Sequence, residues 1–376
     1  MRIDALDLYL IKMSMVGEFV TSFGAVQERE IVLVRARAAG ANGWGESGVD
    51  GVPLYSYEDA ATCWHIIEDF LAPVILAHEW PSAGLGPAMA GLFSSWRWHP
   101  MARAAVEEAL WDLEANLRGV SVRQLYAGER ESRERIPVGI SLGIQDDFGH
   151  LAAQISEALD QGYQRIKLKI EPGKDIAVIE KVRHQFGEIP LMVDANCGYT
   201  REQGPILKGL DPFKLLMIEQ PLAQDDIPGH ADLQAELETP ICLDESIHSL
   251  HHARLALDYD ACRLINIKAS RLGGRTEGIA VHDLCADRGV PVWCGGMLES
   301  GIGRLHNIAM ASLPNFQMPG DLSASRRYWH EDIIDPEVTV GSDGQVEVPD
   351  TVGLGHSVRE DAIQKLVVRS ASLTRE

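Results

Sequence analysis

The sequence predicts an α/β protein: a closed TIM-type (β/α) barrel with a smaller α+β domain in front of it. Three observations carry this reading. Five short apolar runs each end on a charged residue: Arg165–Lys169, Pro190–Asp194, Leu215–Glu219, Pro240–Asp244 and Arg263–Lys268. Their terminal charges stand 25, 25, 25 and 24 residues apart, about the length of one strand, one crossover helix and two loops. Buried parallel strands read as continuous apolar runs, and in a closed barrel their C-terminal ends meet at one mouth. The segment before them shows strands and then helices without alternation, which is the order of an α+β unit.

In chain order, residues 1–128 open with strand-like stretches at Ala5–Met15 and Glu28–Ala38, with Ser22-Phe23-Gly24 between them. So long a span suggests a mobile loop rather than a tight hairpin. Helical patterns follow at Ser56–Leu76 and Met101–Arg118, the second rich in Ala, Leu and Glu. The barrel is assigned to residues 129–325. It begins with Pro137-Val-Gly-Ile-Ser141 and runs through the five charged strands. A seventh strand, Val290–Cys294, leads into Gly295-Gly296, and an eighth is expected at Asn315–Pro319, ending near Asp321. Between them lie helical stretches at His150–Gln161, Ile176–Phe186 and Gly278–Arg288. Residues 326–376 form a C-terminal segment in which Glu337–Val340 and Gln345–Val348 read as a hairpin through Gly341–Gly344. The β/α unit is the only repeat, and it suits a closed barrel rather than a solenoid.

Composition narrows the function. Across 376 residues the net charge is −21, and no Lys/Arg-rich run is present, so nucleic acid and anionic membranes are poor partners. The six cysteines show no Cys-x-x-Cys spacing, and Cys242 and Cys294 fall inside strand runs. Free thiols in a reducing cytoplasm are expected. The start lacks the basic-then-apolar layout of a secretory signal, and no run reaches 18 uninterrupted apolar residues, so no membrane span is expected.

Around the mouth the charges read lysine, three carboxylates, lysine. Asp194, Glu219 and Asp244 offer hard oxygen ligands without thiols or imidazoles, which favours Mg²⁺ or Mn²⁺ over zinc. Such a metal, with positions left for a substrate carboxylate, stabilises an enediolate. Lys167 and Lys169 stand at i and i+2 on one strand and share a face. Two adjacent ammonium groups are expected to lower each other's pKa, as a general base requires. Lys169, nearer the mouth, is assigned the proton transfer, and Lys167 the neutralising of a small-molecule carboxylate substrate. Lys268 ends the sixth strand, across the barrel, where it can serve the opposite face of the same carbon. His248, His251 and His252 are read as a solvated cluster rather than a metal site. Gly295–Gly301 reads as a flexible loop that brings backbone amides to a ligand, and it lacks a Walker lysine.

These residues resemble the enolase superfamily, in its muconate lactonising subgroup. The likeness rests on Lys167-x-Lys169, Asp194, Glu219, Asp244 and Lys268. It extends through Thr21-Ser-Phe-Gly24, Gly43-Trp-Gly-Glu46, Val193-Asp-Ala-Asn196, Ile218-Glu-Gln-Pro221, Leu243-Asp-Glu-Ser246 and Cys294–Gly301, then Gly303–Asn307 and Pro319-Gly-Asp321. Within the subgroup the chain is most similar to the family of o-succinylbenzoate synthases and N-succinylamino acid racemases. The resemblance implies a capping domain built from the N-terminal segment and the returning C-terminal tail. Loops at Phe19–Gly24 and Asp50–Tyr55 would close over the substrate, and Ser141, Asn196, Gly296, Met297 and Phe23 would line its pocket. It implies metal-dependent syn dehydration of a cyclohexadiene carboxylate through an enediolate, two-lysine racemisation of N-acylamino acids, or both. A homo-oligomer is expected. Mandelate-racemase-like members carry a His after the seventh strand, where this chain has Cys294-Gly295. Dipeptide epimerases carry Asp-x-Asp after the eighth, where it has Asp321-Leu322-Ser323. Muconate cycloisomerases place a Glu near that point, and here only Asp321 and Leu322 stand there. Arg271 occupies a position where the resemblance associates an arginine with racemase activity. Physically, its permanent charge would lower the pKa of Lys268; alternatively it is a loop arginine in a surface ion pair.

Overall fold

The structure, a computed structural model, describes residues 1–21 and 24–375. Its first layer is an antiparallel sheet of β1 (Ala5–Thr21), β2 (Gly24–Ala38), β3 (Ala41–Glu46) and a C-terminal strand, in the order C-terminal strand, β1, β2, β3. The runs in β1 and β2 are apolar on both faces because both faces are covered. Leu6, Leu8, Val32, Val34 and Ala36 point into a core shared with the helices of this domain. Tyr9, Ile11, Met13, Ile31 and Leu33 join the core that continues into the barrel. The mobile loop expected between these strands is largely a long two-stranded ribbon. A register shift between Ser14 and Phe19 absorbs Gly17, after which Phe19, Val20 and Thr21 pair with Val26, Ala25 and Gly24. Such a bulge breaks the alternation by which a strand is recognised.

Helices Ala60–Ala77, with a π turn at Ile67–Leu71, and Pro100–Arg118 cover the outer face of this sheet. Ala60–Ala77 is long and apolar enough by composition to cross a membrane. It carries Glu68 and Asp69, however, and buries Trp64, Ile67 and Leu71 as a core helix does. Pro100–Arg118 lies flush on β3 because Gly43 and Gly45 have no side chain. A Cβ there would stand 2.0 Å from the Leu113 nitrogen and 2.1 Å from the Ala105 oxygen.

The barrel strands are parallel and follow β4 (Arg135–Pro137). They are β5 (Ile140–Leu142), β6 (Ile166–Lys169), β7 (Leu191–Asp194), β8 (Ile218–Glu219), β9 (Ile241–Leu243), β10 (Leu264–Ile267) and β11 (Val292–Cys294), hydrogen-bonded in that order. Helices such as Phe148–Asp160, Ile176–Phe186, Arg275–Asp287 and Gly301–Ala311 intervene. Alternation sorts the strand residues. Ile166, Leu168, Leu191, Val193, Ile218, Ile241, Leu243, Ile265 and Ile267 belong to the core outside the barrel wall. Met192, Met217, Cys242, Leu264 and Trp293 form a separate plug. The terminal charges stand two residues beyond plug residues or share their parity, so they project into the mouth above it. Pairing carries Lys169, Asp194 and Glu219 side by side across β6, β7 and β8.

Two expected elements are different. Asn315–Pro319 is not an eighth strand: it closes the barrel through isolated parallel bridges, Phe316 to Val292 and Gly320 to Val138. Pro314 and Pro319 flank it, and neither can donate to a ladder. Glu337–Val340 and Gln345–Val348 do not form a hairpin. β13 (Gln345–Glu347) pairs with β4 instead, and β12 (Ile334–Asp335) pairs with β14 (Ser357–Val358). After helix Glu360–Leu366, β15 (Val367–Thr374) returns as the edge strand against β1.

Buried carboxylates join the two parts. Glu107 accepts from the backbone N–H of Arg275 and Thr276, and so sits at the N-terminus of Arg275–Asp287. Glu46 accepts from the N–H of Ser300 and Gly303, each at 2.9 Å, at the start of Gly301–Ala311. Helix N-termini hold unpaired N–H groups and partial positive charge, which suits an acid. Burial nonetheless pushes the Glu46 carboxyl up from 4.5 to about 7. Below pH 4.5 the acid is protonated in both folded and unfolded chains and stability is indifferent to it. Between 4.5 and about 7 the unfolded chain alone ionises, so stability falls as pH rises, and above that it levels off. Glu46→Gln should remove this slice, on the order of 3 kcal/mol. Urea unfolding from pH 4.5 to 7.5 measures it, and parallel curves for the two proteins would contradict the assignment.

Candidate active site

The mouth of the barrel concentrates charge, and each group there has a partner of opposite sign. Lys169 Nζ lies 2.6 Å from both Asp194 Oδ2 and Asn196 Oδ1. Lys167 Nζ lies 2.6 Å from Asp321 Oδ2, 3.1 Å from Glu219 Oε2 and 3.4 Å from Asp194 Oδ2. It also stands 4.8 Å over the Trp293 ring. Lys268 Nζ lies 2.8 Å from Asp244 Oδ2 and 3.1 Å from the Tyr55 hydroxyl. Arg271 donates to Asp244 Oδ1, to the Tyr55 hydroxyl at 2.6 Å and to the Ile247 carbonyl at 2.9 Å. Asn266 donates to Glu219 Oε1 at 2.7 Å.

The electrostatics follow from burial and neighbours. Burial opposes the charge of Asp194 and Asp244, but Lys169 and Lys167 beside the first, and Arg271 and Lys268 beside the second, hold both below the usual carboxylate range. Glu219 goes the other way: burial and the charge of Asp194 outweigh Lys167 and raise it. The expected lowering of paired lysines does not hold for Lys167. Burial opposes its charge, but Asp321, Glu219 and Asp194 raise its pKa. Arg271 does press Lys268 downward, as burial does, yet Asp244 and the Tyr55 phenol win and the pKa rises. Nor is Arg271 a surface residue, being only 2% exposed.

The donor set fits a hard divalent cation. Three carboxylates are buried at neighbouring strand ends, where burial and the charge of Asp194 raise the pKa of Glu219. Asp244 Oδ2 and Glu245 Oε2 are buried without an aligned hydrogen-bond donor. Among the described residues no three acids, imidazoles or thiols already meet at ligand distances, because ammonium groups stand between them.

Ser141, Asn196, Gly296 and Met297 all line one cleft over the mouth, together with Lys167, Lys169 and Lys268. Its volume, open end included, is about 860 Å³. Phe23 lies outside the described residues. Both capping loops reach the cleft through Phe19, Thr21, Asp50 and Tyr55. The Gly295–Gly301 loop is pinned rather than flexible: Met297 N–H donates to Glu299 at 2.9 Å, and the Glu299 carbonyl accepts from Arg304 and Trp329. The histidines are not a fully solvated cluster. Burial brings His248 down to about 4 and lowers His252, leaving His251 exposed.

Family models match nearly the same two regions. One described as Enolase C-terminal domain-like covers residues 150–362, and one for the mandelate racemase / muconate lactonizing enzyme N-terminal domain covers residues 9–126. The chain belongs to the enolase superfamily. This member is 48% identical over 365 residues to an o-succinylbenzoate synthase of Geobacillus stearothermophilus, spanning 97% of this chain and 96% of that one. It is 44% identical over 357 residues to an N-succinylamino acid racemase of Amycolatopsis, spanning 94% and 95%. An enolase superfamily member from Listeria innocua superposes with a TM-score of 0.94 at 35% identity, over 100% and 99% of the two chains. Enzymes of this superfamily depend on a metal.

Sequence reasoning missed four participants: Arg165, Asp321 as a partner of lysine, Tyr55 and Asn266. A signal for Arg165 existed, since Arg165, Lys167 and Lys169 alternate on one face. Arg165 is fully buried, donates to the Pro319 carbonyl at 2.9 Å, pairs with Asp321 and lies 4.8 Å over Trp293. Breaking a buried pair leaves a charge uncompensated. Asp321→Asn removes the carboxylate partner of Arg165 and the nearest one of Lys167, and should cost about 3–5 kcal/mol in urea unfolding. A loss below about 1 kcal/mol would show that water or Glu219 takes over.

Proposed function

We propose that this superfamily member is an o-succinylbenzoate synthase. It removes water from 2-succinyl-6-hydroxy-2,4-cyclohexadiene-1-carboxylate, a step of menaquinone biosynthesis. The observation that carries the reading is the pair of amines, Lys169 on β6 and Lys268 after β10, held across the barrel from one another above the carboxylates. The 40–48% identity to synthases of Geobacillus and Bacillus subtilis supports the substrate.

Asp194, Glu219 and Asp244 would hold one Mg²⁺ or Mn²⁺. When bound, that cation supplies positive charge where loss of an α-proton leaves negative charge on a carboxylate. Lys169 takes the proton from the ring carbon that bears the carboxylate, and Asn196, 2.6 Å from its nitrogen, fixes its direction. Lys268, held as an ammonium by Asp244, faces the enediolate as a fixed cation. Lys169 then returns the proton to the hydroxyl on the same face. The carbon–oxygen bond breaks, water leaves and the ring becomes aromatic. Lys167 presents a permanent charge to the substrate carboxylate, and Ser141, Gly296 and Met297 shape the pocket.

A second activity, racemisation of N-succinylamino acids, is favoured by one observation: Arg271 and Lys268 share the carboxylate of Asp244. Arg271 therefore draws on the charge that would otherwise hold the Lys268 proton, and racemisation needs that proton to move. The racemases of Amycolatopsis and Thermus thermophilus, at 44% and 40% identity, support it.

Assaying dehydration and racemisation on the same purified protein, with and without chelator, tests the reading. Lys169→Ala should abolish dehydration and lower exchange of the α-proton with deuterium by about 10²-fold or more. Lys268→Ala should stop racemisation yet leave exchange in one enantiomer. Exchange persisting in both enantiomers of Lys268→Ala would contradict the opposed arrangement. Arg271→Gln should reduce racemisation at least about tenfold more than dehydration, since only racemisation uses Lys268 as acid and base. Equal losses in the two assays would make Arg271 a support for Asp244 alone.

A further inference from the structure

Of the two capping loops that reach the cleft, the one at Asp50–Tyr55 touches Lys268 and Arg271. Asp50 and Asp59 bridge at its base, and Ala60 N–H donates to the Asp50 carbonyl at 2.9 Å. Leu54 lies against the ribbon tip, where a Cβ on Gly24 would stand 3.2 Å from Leu54 Cδ1. The ribbon is itself docked on the barrel, Ile144 N–H donating to the Val20 carbonyl at 3.2 Å and Val16 N–H to the Tyr328 carbonyl at 2.9 Å. Both loops are therefore closed over the cleft and in contact with each other.

Tyr55 turns inward from this loop. Its hydroxyl accepts from Lys268 Nζ at 3.1 Å and from Arg271 Nη1 at 2.6 Å, and Lys268 Nζ lies 4.6 Å from its ring centroid. Lys268 is only 8% exposed. Its ammonium group is ion-paired with Asp244 Oδ2 at 2.8 Å and donates to the Tyr55 hydroxyl, and Lys268 also lines the cleft. A lysine side chain has four rotatable bonds and a single anchor leaves its nitrogen free to swing. Asp244 belongs to the barrel and is present whether the cap is open or closed. Tyr55 adds the second anchor when its loop is down.

We propose that Tyr55 is a positioning residue that makes closure of the capping loop and alignment of the Lys268 amine a single event. This rests on Lys268 being the second proton-transfer group. The consequence differs between reactions. A misplaced amine loses proton transfer steeply, since about 1 Å can cost on the order of 10²-fold, whereas a cation that stabilises charge from a distance loses little.

Two measurements test it. In the first, Tyr55→Phe keeps the ring and removes the acceptor. The kcat for racemisation should fall by about 10- to 100-fold with KM within about twofold, while dehydration changes less than about threefold. Equal losses in both reactions, or a change confined to KM, would overturn the positioning role. The second does not depend on activity. Hydrogen exchange of the peptide spanning residues 50–58 should quicken in Tyr55→Phe and in Lys268→Met, and the double variant should be no faster than Tyr55→Phe, which removes the acceptor of both Lys268 and Arg271. Additive effects, or no change in Lys268→Met, would show that the loop does not dock on the lysine. If neither reaction is catalysed by the wild-type protein, the proposed function fails, and the exchange measurement still decides the docking.

Discussion

A full charge buried in protein without a partner costs several kcal/mol, and this barrel gathers nine ionisable side chains at its mouth and upper interior. Arg165, Lys167, Lys169, Lys268 and Arg271 face Asp194, Glu219, Asp244 and Asp321, and all are buried except Lys169 and Asp321, whose side chains are nearly so. The neighbouring structure is arranged to meet this demand. Trp293 offers its ring face to two of the cations, Asn266 orients Glu219, and the cap lowers a phenol onto two more. Catalytic residues held so tightly have few alternative positions, which is the preorganisation that proton transfer and charge stabilisation require.

The same rule operates at the seam between cap and barrel, with backbone dipoles as the partners. Glu46 and Glu107 terminate barrel helices from the capping side, while Glu108 pairs with Arg275 at 2.7 Å. Glu58 in turn accepts from the N–H of Met101 and Ala102 at the start of Pro100–Arg118. Each acid satisfies donors that would otherwise be buried unpaired. The cap is thus fixed by groups that cannot be withdrawn without exposing orphaned N–H groups, and only its loops remain adjustable.

The strand-end charges were legible because a parallel barrel writes them at a constant step, with alternation deciding which way they point. The segment from Arg165 to Lys169 contains both the strand and the direction of its side chains. Partners far apart in the chain left no such trace. Asp321 lies 156 residues beyond Arg165, and Tyr55 lies 213 before Lys268. The run Gln345–Glu347 reads as half of a hairpin, yet its partner Arg135–Pro137 lies some 200 residues earlier, and periodicity does not name partners. Gly17 concealed the length of the first ribbon, because a bulge resets the alternation on which a strand reading depends. The burial of Arg271 was equally hidden, since a four-residue helix after a strand gives no sign of what packs over it.

The joint between β11 and β5 has a mechanical meaning. Elsewhere around the ring neighbouring strands share a continuous ladder, but here closure rests on a few bonds through Asn315–Asp321 and on the Arg165 guanidinium, which spans the gap to Pro319 and Asp321. A ring opens first at its weakest joint. In this barrel that joint is stapled by the side chains that also set the charge beside Lys167, so unzipping and loss of the active-site field coincide. A partly opened barrel would carry no residual chemistry into the unfolded ensemble.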